Sequence, residues 1–195
     1  MGCILSAASC RKWWLENILG SDDYACDEKL VANADTRDII FLPYLSGERS
    51  PHNDVNAKGA FVGLTSVTAK AQMSKAVMEG VAFAIRDCLE VSKANGISPE
   101  CTNLCGGGAR SETWRQIFAD VLGVPVNVLQ TEQGPSYGAG ILAMVGAGEY
   151  PTVEDAAGKI VKVCQTVLPI PSNAAKYDEK YKKYAKLYTL LKQLY

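Results

Sequence analysis

The run TNLCGGGARSETWRQIFADVLGVPVNVL, residues 102–129, decides the fold. Thr102 to Cys105 reads as a strand, and Gly106, Gly107 and Gly108 follow it. Ser111 then stands as an N-cap, with Glu112 in the first helical turn, where negative charge suits the helix dipole. Trp114, Ile117, Phe118, Val121 and Leu122 recur at i, i+3, i+4, i+7 and i+8, which is one apolar face of a helix. Gly123 stops that helix, and Val124 to Leu129 reads as the next strand. Strand, glycine turn, helix and strand in so short a run define an α/β unit.

The glycine turn admits two readings. Free N–H groups at a helix start attract an anion, and glycine lets the backbone approach a phosphate closely. A tight turn without ligand needs the same residues. The turn is not a Walker A loop, because no Gly-Lys-Ser/Thr follows. As a Rossmann fingerprint it keeps Gly106 and Gly108 but has Ser111 in the third position, with Glu132 roughly where a ribose-binding acid would stand. A dinucleotide-binding protein, preferring NAD, therefore stays open as a rival.

Working outward, Cys3 to Leu5 reads as a strand, Ser9 to Leu19 as a helix and Asp22 to Ala34 as a weaker one. Ile39 to Leu45 and Gly59 to Leu64 read as strands on either side of the polar loop LSGERSPHND, residues 45–54. Thr68 reads as the N-cap of a long helix carrying Met73, Ala76, Val77, Gly80, Val81, Ala84, Cys88 and Val91, closed by Asn95-Gly96. Beyond Leu129 come a helix of small residues from Gly134–Gly140 to Gly148, a helix from Glu154 to Val161, and a last helix from Ala174 to Leu194. The expectation is an α/β fold over residues 1–195 as a single domain, a mixed β-sheet flanked by helices.

Composition narrows the function. The 195 residues are 48% hydrophobic and 21% charged, with a net charge of −1, which argues against nucleic acid or an anionic membrane as partner. No basic, apolar leader is evident, and the apolar run Ile39 to Leu45 is too short to span a bilayer. Seven scattered cysteines without a CxxC, and one histidine, argue against a disulfide framework or a zinc site. They read as reduced, mostly buried thiols of a cytoplasmic protein.

Three further features carry paired readings. Glu48, Arg49, His52 and Asp54 crowd one loop, either as acid–base or ligand-binding groups or as a solvated loop held by a Glu48–Arg49 or Arg49–Asp54 pair; the second is favoured. Tyr177, Tyr181, Tyr184, Tyr188 and Leu191 form a stripe whose simplest role is docking on its own domain. Gly138, Ala139, Gly140, Ala143 and Ala147 suit close packing.

The segment GAFVGLTSVTAKAQMSKAVME, residues 59–79, resembles the second signature of the FGGY carbohydrate kinases. Gly59, Phe61, Gly63-Leu64, Gln72-Met73 and Ala76-Val77-Met78-Glu79 match its fixed positions. Within that family FLPYLSGERSPHND, residues 41–54, is most similar to the xylulose-phosphorylating branch through Ser50-Pro51-His52-Asn53. The resemblance implies a ribonuclease H-like, actin-like ATPase fold, with ATP or ADP and Mg²⁺ bound in a cleft between two domains. By position, Gly107, Gly108, Ala109, Arg110 and Ser111 should line the nucleotide pocket, with Ala8 and Lys12 from a second segment. The resemblance also implies an N-terminal domain, with the catalytic Asp and most contacts to D-xylulose; no position here matches that Asp. Asp54, Asp87 and Asp120 lie in other motifs, so no catalytic or metal-binding residue is assigned, and the chain alone is expected to be inactive. Gluconate, ribulose or glycerol kinases are the alternatives within the family. A non-catalytic association module, forming a homodimer through the exposed cleft face, is the alternative outside it.

Overall fold

The computed structural model describes residues 2–131 and 134–195. The expected acid Glu132 lies outside the described residues.

Helix α1 (Ala8–Trp13) widens into a π-type turn (Trp14–Ile18) that carries Trp14 and Leu15 into the core. There the Trp14 indole N–H donates to Ser74 Oγ at 2.8 Å. Helix α2 (Tyr24–Ala32) is capped by Asp23, whose carboxylate accepts from the Cys26 amide. Strands β1 (Ile40–Leu42) and β2 (Ala60–Val62) form an antiparallel ribbon with Phe41 opposite Phe61, their rings 4.6 Å apart. Helix α3 (Lys70–Ala94) lies on this ribbon. A Cβ at Gly80 would stand 2.3 Å from the Phe41 carbonyl oxygen, so glycine sets how close α3 and β1 come.

Strand β3 (Thr102–Leu104) runs parallel to β4 (Val126–Leu129), and β5 (Val163–Val167) pairs antiparallel with β4, Val126 opposite Val167. Helix α4 (Glu112–Leu122) connects β3 to β4 and buries Trp114, Ile117, Phe118, Val121 and Leu122, the stripe read from the sequence. Gly123, at φ +68°, closes it in the left-handed conformation. Helices α5 (Pro135–Gly146) and α6 (Val153–Ile160) precede β5, and α7 (Pro171–Leu191) returns across the first half of the chain. A contiguous core joins α1, β1, α3, α4 and the Tyr184 ring of α7.

Several expectations are corrected. Cys3 to Leu5 is not a strand; Cys3 exchanges hydrogen bonds with Ser50 across a loop, which is too few partners for a ladder. Thr68 does not cap α3, because its hydroxyl accepts from the Thr65 amide one turn earlier; Gln72 reaches back to the Ala69 amide instead. The strands divide into a two-stranded and a three-stranded sheet, the latter mixed. Strand β5 was not anticipated, since its polar Gln165 and Thr166 interrupt the apolar run and most of its side chains are exposed. Of the seven thiols only Cys10 is buried, while Cys26, Cys101, Cys105 and Cys164 are exposed. On α5 the small residues Gly138, Ala139, Gly140 and Ala143 are exposed, as is Ala147 just beyond it; only Ile141 is buried. Helix α5 packs on α6, with Tyr137 donating to the Ile160 carbonyl at 3.1 Å, while these small residues stay exposed. The described helices include none long and apolar enough to cross a membrane.

Candidate functional site

The glycine turn is shaped by short-range rules. Gly106 adopts φ +81°, a conformation that L side chains rarely take, and the chain then makes one 3-10 turn over Gly107–Arg110. Within it the Ala109 amide donates to the Gly106 carbonyl at 3.0 Å, and the Ser111 amide to that of Gly108 at 3.3 Å. Arg115 donates to the Ala109 carbonyl from the next helical turn. Gly108 rests on the Trp114 ring, which a Cβ would approach to 3.3 Å, whereas one on Gly107 would meet open space.

This turn forms one wall of a cleft of about 680 Å³. The facing wall comes from α1 and α2: Ala8, Ser9, Arg11 and Lys12, then Tyr24, Ala25 and Glu28. The structure thus brings together Ala8, Lys12, Gly107, Gly108, Arg110 and Ser111, all named from the sequence. Ala109 is the exception. Its side chain is buried behind the turn and does not line the cleft.

Charges in the cleft are sorted by burial. Arg11 is 6% exposed and committed: its Nε and one terminal nitrogen donate to Asp27 at 3.3 and 3.0 Å, and that nitrogen also reaches Glu28 at 3.1 Å. Its guanidinium lies 5.6 Å from the centre of the Tyr24 ring and 5.9 Å from that of Trp114. Lys12 and Arg110, both exposed, stand at the rim. Glu28 accepts from Ser111 Oγ at 2.6 Å and from the Thr113 amide at 2.8 Å. Burial pushes the Glu28 carboxyl up, but the Ser111 and Thr113 hydrogen bonds and the Arg11 charge hold it below the ordinary carboxylate value. Sequence reasoning named the 8–12 loop but missed Tyr24, Glu28 and Trp114 as wall residues. Trp114 had been read only as core, and nothing local marks Glu28, whose partner lies 83 residues away.

The LSGERSPHND loop does not assemble a site. Glu48 is buried and accepts from the Arg49 backbone amide at 2.6 Å; neither expected ion pair of Arg49 forms among the described residues. Two backbone hydrogen bonds between Glu48 and Asp54 close the loop. His52 stacks on Tyr188 at 3.7 Å and shares a hydrogen bond with the Tyr44 hydroxyl, while Asp54 accepts from Tyr188. A second cavity, beside α7, is lined by Lys75, Lys176, Lys180 and Lys183, of which Lys180 pairs with Glu79, Lys183 with Asp38, and Lys75 donates to the Ala34 carbonyl.

Residues 3–147 match the FGGY family of carbohydrate kinases, C-terminal domain, and the chain belongs to that family. A xylulose kinase from Klebsiella pneumoniae is 38% identical over all of the chain, which spans 40% of that relative's length. Among solved structures, a xyloylose kinase from Brucella ovis superposes with a TM-score of 0.89 at 34% identity, over 100% of this chain and 40% of that one. A gluconate kinase from Lactobacillus acidophilus gives 0.85 at 30% identity, over 96% and 39%. The fold is that of these kinases, the actin-like ATPase type expected from the sequence.

Proposed function

We propose that the chain is the nucleotide-binding C-terminal domain of a cytoplasmic, ATP-dependent xylulose kinase. The whole enzyme would transfer the γ-phosphoryl group of ATP to D-xylulose, giving D-xylulose 5-phosphate. One observation carries the reading: the glycine turn and the 8–12 segment, two separate stretches that the family resemblance assigns to the nucleotide, face each other across one cleft. Similarity to xylulose kinases over the full chain supports the choice of sugar.

In this reading Gly107 and Gly108 let the phosphates lie against bare backbone, and Lys12 and Arg110 supply charge at the rim. Ala109 holds the turn from behind. Magnesium enters as part of the nucleotide complex. An N-terminal domain supplies the sugar pocket and the base that takes the hydroxyl proton. That domain would also cover apolar surface on α5 at Leu142, which is 58% exposed.

Calorimetric titration with Mg-ATP and Mg-ADP tests the site, with NAD as control. Both adenine nucleotides should bind and NAD should not. A Gly107→Val variant should lose that binding without losing stability, because its side chain enters open space. Preference for NAD, or an unaffected variant, contradicts the assignment. Without the N-terminal domain the pure chain should show no xylulose-dependent ATP turnover.

A further inference from the structure

We infer that Glu28 is a positioning residue of the cleft: its carboxylate fills the anion position at the N-terminus of α4 and fixes the register of the glycine turn. The inference rests on the nucleotide reading of the site and deepens it.

A helix start offers unpaired amides and a partial positive charge, which is why a phosphate is expected there. In this chain that position is taken. The Thr113 amide donates to Glu28 at 2.8 Å. The Trp114 amide donates to Ser111 Oγ at 3.1 Å, and the Ser111 hydroxyl proton is itself directed to Glu28 at 2.6 Å. The hydroxyl that caps the helix therefore has no proton left to offer a ligand. A phosphate placed at this end would also meet the resident negative charge. The phosphates must then be held by the turn over Gly107–Arg110, and the helix serves as its fixed base.

Glu28 is well placed for that task. It projects from α2, whose neighbouring Asp27 anchors Arg11, and Arg11 also bonds Glu28 at 3.1 Å. One carboxylate thus ties the 8–12 wall, α2 and the glycine-turn wall into one frame. A shift of α2 would move both sides of the cleft together.

The test compares wild type with Glu28→Ala and Glu28→Gln, titrated with Mg-ADP and with adenosine. Losing hydrogen bonds to a charged acceptor should weaken Mg-ADP roughly tenfold in Glu28→Ala, with adenosine much less affected. Glu28→Gln keeps an acceptor for Thr113 and should fall between. Equal Mg-ADP affinity in Glu28→Ala and wild type, or equal losses for ADP and adenosine, overturns the inference. If wild type itself binds no ADP, the nucleotide reading fails. Amide exchange then decides the role of Glu28: faster exchange at Thr113 and the turn in Glu28→Ala, with α3 unchanged, supports it, and unchanged exchange at both refutes it.

Discussion

Asp87, buried beneath α7, keeps its proton to a higher pH than it would in water. Burial pushes its carboxyl up to about 6, against the help of the Tyr181 hydroxyl, 2.6 Å away, and the Arg86 charge. The unfolded value lies near 3.9. Between those two values the folded state binds the proton that the unfolded state has lost, so this group makes stability fall as pH rises from about 4 to about 6 and level off above. Asp87→Asn should flatten that slope, checked by melting temperature across the range; parallel curves for the two proteins would refute it. Gly80→Ala belongs to the same scale. Its methyl group would clash with the Phe41 carbonyl oxygen, and the backbone must move. Urea denaturation should show a loss of about 1–3 kcal/mol, typical of overpacking. Single residues were legible in the sequence where their work is local: Ser111 caps, Gly123 stops and Trp114 is buried, all within one helix. Thr68 misled because a hydroxyl can serve either of two adjoining turns, and only the backbone decides which.

Among the elements, α7 carries the most chemistry. Its Lys180 ammonium donates to Glu79 at 2.6 Å and to Thr36 at 2.7 Å, and the Thr36 and Tyr177 hydroxyls donate to the same carboxylate at 2.9 and 3.0 Å. Tyr184 meets the Tyr44 hydroxyl at 3.1 Å, and Tyr188 reaches Asp54 at 2.8 Å. The stripe docks on its own domain, as its helical spacing suggested. Lys180 and Glu79 are both nearly inaccessible, at 9% and 2% side-chain exposure. Lys180→Met should therefore cost about 3–5 kcal/mol, because it strands a buried carboxylate. The double change Lys180→Met with Glu79→Leu should recover much of that, and chemical denaturation of the three proteins tests the claim. Periodicity revealed the helices well, since burial on one face writes a repeat into the sequence. It revealed β5 poorly, because an exposed edge strand needs no apolar alternation; only pairing with β4 defines it.

At the scale of the whole molecule, α5 leaves apolar surface uncovered among the described residues. Helix α5 keeps small residues where a close partner would fit, and exposes Leu142 and Met144 beside them. This exposed apolar surface should make the purified chain self-associate as concentration rises, and Leu142→Asp should suppress this in light scattering. A strict monomer at high concentration would show that the face is not adhesive. The two walls of the cleft were both marked in the sequence, one by glycines and one by family pattern. Their meeting was not, because it depends on Glu28 and Arg11, which join segments with no local relation.

The bond between Lys180 and Glu79 spans 101 residues. On the ribosome Glu79 emerges first and waits for its counter-charge through the synthesis of β3, α4, β4, α5, α6 and β5. Until α7 arrives, Glu79 on α3 has, among the described residues, only the Thr36 hydroxyl as a donor from the first half of the chain and lacks its counter-charge. A nascent chain stalled short of Lys180 therefore carries an uncompensated carboxylate at the place where α7 docks.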